Sequence, residues 1–251
     1  MVNLIKGDCL ELMKDISDKS IDLILCDLPY GVTANKSDTI IPFEPLWQQY
    51  ERIIKDNGAI LLFAQGVFYI DLVNSNREWF RYDLVWDKVL TTGFLNANRC
   101  PLRVHEQIAI FYKNLPTYNP QLVDGVPLHG RGTLCFQKDN INNNYGKFDI
   151  VEREVDENKK FPKSILTFPK PHPSVTNHRT EKPVDLLEYL IKTYSNVGDT
   201  VLDKCMGSGS TGVAAINLDR NFIGIEIDTE YFNSAQVRIE RALDDRDKKL
   251  W

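Results

Sequence analysis

The sequence predicts an α/β protein built on a doubly wound, mostly parallel sheet, and three observations predict it. Short apolar runs of strand length recur between stretches whose apolar residues fall at helical spacing. Two of those runs stop abruptly at an acid followed by a turn, Asp22-Leu23-Ile24-Leu25-Cys26-Asp27-Leu28-Pro29-Tyr30-Gly31 and Thr200-Val201-Leu202-Asp203-Lys204-Cys205-Met206-Gly207. Buried parallel strands deliver polar groups to the sheet edge in this way. The length of 251 residues suits one well-buried domain with a small insertion, since single cores grow to about 250 residues before splitting.

Residues 2–6 read as a first strand ending at Gly7-Asp8-Cys9, and Leu10, Leu12, Met13 and Ile16 suggest a brief helix or turn. The strand carrying Asp27 follows. Residues 33–45 are polar and interrupted by Pro42 and Pro45, which predicts a loop over a crevice. Trp47, Tyr50, Ile53 and Ile54 recur at helical spacing until Asp56-Asn57-Gly58 stops the helix, and 59–64 is an apolar strand. Phe68, Ile70, Leu72 and Val73 fit a further helix; 82–86 and 108–112 are two more strands with a Gly93-containing loop between them. From 113 to 178 prolines, an asparagine cluster and mixed charges replace periodicity, and this segment reads as an irregular insertion that meets a partner. An amphipathic helix with Pro183 in its first turn, a strand at 200–203, a glycine loop leading into a helix, and a strand at 221–226 complete the sheet. The charged tail from Asp244 to Trp251 reads as a fraying helix end.

Composition narrows the class. Hydrophobic content of 43% and charged content of 26% are those of a globular protein, and no apolar run approaches the ~20 residues of a membrane span. The first residues lack the basic and apolar segments of a secretion signal, so a cytoplasmic location is expected. Five scattered cysteines (Cys9, Cys26, Cys100, Cys135, Cys205) without a C-x-x-C pair argue for reduced, mostly buried thiols and for no metal site. The net charge of −5 gives no long-range attraction for nucleic acid, although one cleft can still be basic.

Asp27 should hold its carboxylate at the mouth of a crevice, with Pro29 stiffening the turn and Tyr30 offering a flat ring. An acid beside a stacking ring suits a planar, amine-bearing substrate; the same residues could also merely cap a strand and fill a corner. Gly207, Gly209 and Gly212 match G-x-G-x-x-G between a strand and a helix, where a dinucleotide pyrophosphate often rests. Here Asp203, Glu226 and Asp8 would repel a pyrophosphate. They favour a ligand with an ammonium, a sulfonium and a ribose diol, the last accepted by Glu226, and S-adenosylmethionine carries all three.

Asp27-Leu28-Pro29-Tyr30 resembles the D-P-P-Y motif of amino-group DNA methyltransferases, and the stretch from Asp203 to Thr211 resembles their D-P-F-M-G-S-G-T-T cofactor loop. The order, catalytic motif early and cofactor loop late, is similar to the β class, including compact members found in phages and prophages. His178-Arg179-Thr180-Glu181-Lys182-Pro183 resembles the H-P-T-Q-K-P segment of that class, and the stretches 83–88, 92–94 and 103–106 are also similar. Two departures stand out: Leu28 replaces the first proline of the catalytic motif, and Lys204-Cys205 replace proline and phenylalanine of the loop.

The resemblance implies a Rossmann-like, seven-stranded methyltransferase sheet with a catalytic half over 1–112, a target-recognition insertion over 113–178 and a cofactor half over 179–251. It implies methyl transfer from S-adenosylmethionine to a flipped-out base in double-stranded DNA, often by a homodimer and often within restriction-modification. Catalytic residues would be Asp27, Leu28, Pro29 and Tyr30, with the Asp27 carboxylate and the Leu28 carbonyl each accepting an amine N–H. Cofactor-binding residues would be Asp8, Cys9, Asp27, Lys182, Asp203, Gly207, Ser208, Gly209, Ser210, Thr211, Glu226 and Ile227. Lys182 could touch the cofactor or simply open a helix, Phe94 could cover the second face of the base, and His105 beside Glu106 reads as structural. An acid at position 27 leans towards adenine. Methylation of the cytosine amino group and an inactive DNA-binding regulator are the alternatives.

Overall fold

The computed structural model describes residues 1–31, 38–125, 141–142, 146–147, 158–170 and 181–248. In chain order its elements are β1 (Val2–Lys6), α1 (Cys9–Leu12), β2 (Ile21–Asp27), α2 (Phe43–Ile53), β3 (Ile54–Ala64), α3 (Gly66–Ser75), β4 (Phe80–Thr92) and β5 (Arg103–Phe111). Then come β6 (Val123–Asp124), β7 (Ile141–Asn142), β8 (Gly146–Lys147), β9 (Lys159–Lys160), β10 (Ile165–Thr167), α4 (Val184–Tyr194), β11 (Thr200–Asp203), α5 (Ser210–Asn217), β12 (Asn221–Glu226) and α6 (Thr229–Lys248).

The central sheet has eight strands in the order β1-β12-β11-β2-β3-β5-β4-β10. Alternation of side chains along each strand decides what each face buries. Leu23, Leu25, Leu61 and Phe63 point to one face, where α4, α5 and α6 bring Leu187, Leu190, Ala215 and Ile239. Ile24, Cys26, Ile60 and Leu62 point to the other, against Leu46, Trp47 and Tyr50 of α2 and Leu72 of α3. Both faces are therefore covered by helices, which is why β2 and β3 read as continuous apolar runs.

The α/β, doubly wound, mostly parallel expectation agrees with this sheet, and four details differ. An eighth strand is present, because β10 returns from the irregular segment and pairs in parallel with β4 through Leu166 and Trp86; three residues are too short to register as a periodic run. β5 runs antiparallel to both β3 and β4. The connection over 93–102 holds only a short 3-10 turn, and parallel neighbours need a longer crossover. The expected loop over 33–45 ends earlier: α2 starts at Phe43, with Pro42 as its N-cap and Pro45 in its first turn, where a missing N–H costs nothing. Asp56-Asn57-Gly58 does not stop that helix, which ends at Ile53. Those residues form a bulge in β3, marked by the register jump from Ile21 opposite Ile54 to Leu23 opposite Ala59.

Contacts divide the chain into two units, residues 1–119 with 164–251, and residues 120–163. The second unit contains two small antiparallel pairs, β6 with β9 and β7 with β8. Among the described residues no helix is long and apolar enough to cross a membrane. The expected residues His178, Arg179, Thr180 and Cys135 lie outside the described ones.

Candidate active site

Because β1, β12, β11 and β2 are mutually parallel, their carboxyl ends share one edge of the sheet. That edge carries Asp8 just after β1, Glu226 ending β12, Asp203 ending β11 and Asp27 ending β2. The chain leaves β2 towards β3 on one side and has β11 on the other, so the strand order reverses here, where open α/β sheets bind ligands. A cavity of about 530 Å³ opens at this edge, lined by all four acids.

Asp27 is anchored by side chains. Its Oδ1 accepts a hydrogen bond from the Tyr30 hydroxyl at 2.7 Å and its Oδ2 one from Lys182 Nζ at 2.5 Å. Lys182 also lies 3.3 Å from Glu106 Oε2, and Lys88 donates to Glu106 Oε1 at 3.1 Å. The result is an alternating row, Asp27, Lys182, Glu106, Lys88, and buried charges persist only when paired in this manner. The aromatic rings of Phe63 and Trp86 lie 4.9 and 5.9 Å from the Lys182 ammonium, which adds cation–π attraction. Burial pushes Glu106 up, but Lys182 and Lys88 together hold it below the ordinary carboxylate range. Burial works against the Lys182 ammonium, yet Asp27 and Glu106 keep it above the usual lysine value. Asp27 itself is raised, burial outweighing the pull of Lys182, and is thus the less firmly ionised of the two acids.

The ring of Tyr30 sits 5.0 Å from that of Phe68, so it is both packed and tethered through its hydroxyl. Leu28 and Pro29 line the same cavity, Leu28 with its side chain buried. Phe94 is 80% exposed and is not among the cavity-lining residues.

On the opposite wall the acids are held by backbone amides. Glu226 accepts from Gly207 N and Asp228 N, both at 2.9 Å. Its oxygens retain acceptor capacity for a hydroxyl. Asp203 accepts from Cys205 N at 3.1 Å and from the Thr211 hydroxyl, and burial pushes it up to about 7. Asp8 caps α1 through Leu10 N at 2.8 Å. Cys9, Ser208, Ser210 and Ile227 line the cavity as well.

The three glycines of the loop do different work. Gly207, at φ +50 with open space around its α-carbon, faces the cavity; a Cβ on Gly212 would lie 2.6 Å from Ile239 and 2.7 Å from Phe222. Gly209, at φ +78, packs against Ala235. Gly209 and Gly212 are therefore not cavity-lining residues. They let α5 lie close on α6 and β12.

Several lining groups went unread in the sequence. Glu106 stands beside His105, which reads as structural, and no motif marks Glu106, Lys170 or Tyr231 as a lining group. Arg238 of α6 donates to Ser210 Oγ at 3.0 Å, to Ser208 Oγ at 3.3 Å and to Glu181 Oε1 at 2.5 Å, tying the glycine loop to the segment before α4. An arginine on a charged helix carries no spacing that would have revealed this. The thiols also differ from expectation: of the four described cysteines only Cys26 is buried, Cys9 and Cys205 being half-buried and Cys100 exposed.

The family model described as DNA methylase, for N6 and N4 methyltransferases, matches residues 21–237. The chain is 28% identical over 258 residues to the DNA adenine methyltransferase YhdJ of Escherichia coli (strain K12), covering 95% of this chain and 83% of that one. It is 26% identical over 272 residues to the Type II methyltransferase M.HinfI of Haemophilus influenzae, covering 94% of this chain and 67% of that one. Among solved structures, the M1.HpyAVI–SAM complex superposes with a TM-score of 0.62 at 25% identity, covering 95% of this chain and all of that one.

Proposed function

The chain belongs to the DNA methylase family, and from that premise we propose that it transfers the methyl group of S-adenosylmethionine to the exocyclic amino group of adenine in double-stranded DNA. The observation that carries the proposal is the shared cavity in which Asp27 stands with Asp203, Glu226 and the glycine loop. The donor set suits the cofactor: carboxylates for an ammonium and a diol, and no basic residue within the turn 206–209 for a pyrophosphate. Asp203, Glu226, Gly207, Ser208, Ser210 and Thr211, with Asp8, Cys9 and Ile227, would hold it, and when bound it supplies an electrophilic methyl carbon on sulfur. An acid at position 27 and relatives named as adenine methyltransferases favour adenine over cytosine.

The residues of the chain then divide the work. Adenine's amino nitrogen is a poor nucleophile because its lone pair is shared with the ring. Asp27 and the Leu28 carbonyl each take one N–H, turning the lone pair towards the methyl carbon, an effect of positioning and fixed electrostatics. Both Asp27 oxygens already accept hydrogen bonds, so the incoming amine displaces Lys182 from Oδ2 and Glu106 retains the ammonium. Asp27, raised by burial, is suited to receive the proton shed once the nitrogen carries its methyl group. Tyr30 stacks on the base and offsets part of the few kcal/mol needed to unstack it. The unit over 120–163, within the 113–178 insertion, reads the DNA sequence, and the enzyme works in the cytoplasm, as a homodimer.

Nucleoside analysis of unmodified DNA incubated with the protein and methyl-labelled S-adenosylmethionine tests the proposal. Label in N6-methyl-2′-deoxyadenosine is expected. Label in N4-methyl-2′-deoxycytidine would move the substrate to cytosine, and cofactor and DNA binding without any label would leave a regulator in place of an enzyme.

A further inference from the structure

Two residues that depart from the cofactor-loop pattern, Lys204 and Cys205, form a pair of their own. Lys204 is 1% exposed, and among the described residues its ammonium makes no ion pair with a carboxylate. Its hydrogen bond goes instead to Cys205 Sγ at 3.5 Å. A buried ammonium without an anionic partner is costly, so the sulfur is the group expected to carry the compensating charge.

Two further sulfurs lie beside it. The thiols of Cys9 and Cys26 both interact with Cys205, Cys26 being shared with the Asp203 carboxylate. The strand register explains why they meet: Leu202 lies opposite Ile24, so two residues on, the chain after β11 passes beside Cys26. Cys9 comes from the turn after β1, whose pairing with β12 brings it to the same edge. With two thiols and the Lys204 ammonium beside it, the Cys205 sulfur is an acceptor, and its pKa is correspondingly shifted well below that of an ordinary thiol, the hydrogen bonds from Cys26 and Cys9 acting first and Lys204 adding to them. Thiolates, not thiols, attack electrophiles.

Access separates the two neighbouring thiols. Cys9, Lys204 and Cys205 line the cavity and Cys26 does not. Cys26 is also fixed within β2, whereas Cys9 opens a helix of only four residues.

We propose that Cys205 is a peroxide-reactive cysteine in the floor of the cofactor cavity, and that Cys9 converts its oxidised form into a disulfide. In the first step the Cys205 thiolate attacks one oxygen of hydrogen peroxide; an S–O bond forms, the O–O bond breaks, and hydroxide leaves. Cys205 is now a sulfenic acid, oxidised by two electrons, and the peroxide has been reduced. The hydroxide takes the Cys9 proton to give water. The Cys9 sulfur then attacks the Cys205 sulfur, forming the S–S bond and expelling a second hydroxide, which solvent protonates. The disulfide would pin α1 to the glycine loop across the cavity in which, on the reading above, the cofactor binds, and bound cofactor should shield the thiolate.

The test uses the full-length protein and needs no assay of methylation. Under limiting iodoacetamide, Cys205 should be alkylated about tenfold faster than Cys100, whose exposed thiol serves as an internal reference. Hydrogen peroxide followed by peptide mass mapping should yield a Cys9–Cys205 cross-link, and in Cys9→Ser a sulfenic acid at Cys205 that dimedone traps. Lys204→Met should slow alkylation of Cys205 towards the rate of Cys100. Alkylation of Cys205 no faster than Cys100 in the unmodified protein, or a cross-link through Cys26, would overturn the proposal. S-adenosylhomocysteine should slow the reaction. If Cys205 reacts rapidly but ignores that compound, the thiolate assignment is upheld and the cofactor placement is the part that fails.

Discussion

Lys182 is the residue on which the electrostatics of the site turn, because it is the counter-ion of Asp27 and Glu106 together. Lys182→Met would leave the half-buried Asp27 without a cation and Glu106 with Lys88 alone, a loss of up to about 3 kcal/mol, below the range for a fully buried pair. Urea unfolding should register a loss of that size, partly restored by Lys182→Arg; a variant as stable as the parent would show that the row does not act as a unit. Asp203 gives a pH prediction. Its folded value of about 7 lies above the ordinary 3.8, so its contribution to stability is present below about pH 4 and is lost as pH rises towards 7. A cationic ligand reverses the preference, since it favours the carboxylate. Affinity for S-adenosylmethionine should therefore rise between pH 6 and 8, by at most about tenfold per unit below the folded value, and titration calorimetry that finds a flat profile would remove Asp203 from the cofactor site. The acids themselves were legible because each ends an apolar run. Their pairing was not: Lys182 stood out only as a group that touches cofactor or opens a helix, it and Glu106 lie in separate parts of the chain, and no local pattern announces that β5 and the segment before α4 converge.

At the scale of elements, the glycine loop separates two demands that the G-x-G-x-x-G spacing merges. Gly212→Ala would drive a methyl group into Ile239 and Phe222, and overpacking of this kind costs roughly 1–3 kcal/mol. Gly207→Ala meets nothing but keeps φ +50, a penalty of about 1 kcal/mol, and should act mainly on cofactor affinity. Thermal melts paired with cofactor titrations distinguish the two; the opposite ranking would mean that Gly212 is not pressed between α6 and β12. The loop was legible from its place between a strand and a helix. Its clamp was not, since Arg238 sits on an otherwise ordinary charged helix. The bulge at residues 55–58 was misread for a different reason: Asp-Asn-Gly is as good a signal for a bulge as for a helix stop, and only the register against β2 decides.

For the molecule as a whole, the sheet places the catalytic motif and the cofactor loop on neighbouring strands although 176 positions separate Asp27 from Asp203. The alternation of apolar strands and helices made that arrangement readable, while the antiparallel β5 and the late return of β10 depend on pairings that no periodicity encodes. If the unit over 120–163 reads DNA, replacing it with a glycine-serine linker should spare cofactor binding and abolish methylation of duplex DNA; loss of cofactor binding as well would show that the remainder does not stand alone. The central claim is that the Asp27 carboxylate draws out the nucleophilicity of an amine held against it. Asp27→Asn keeps the shape and removes the charge, so its single-turnover rate of methyl transfer at saturating cofactor and DNA is the most direct measurement. The account predicts a fall of about 10²–10³-fold with cofactor affinity within a few-fold of the parent, whereas an unchanged rate would contradict it.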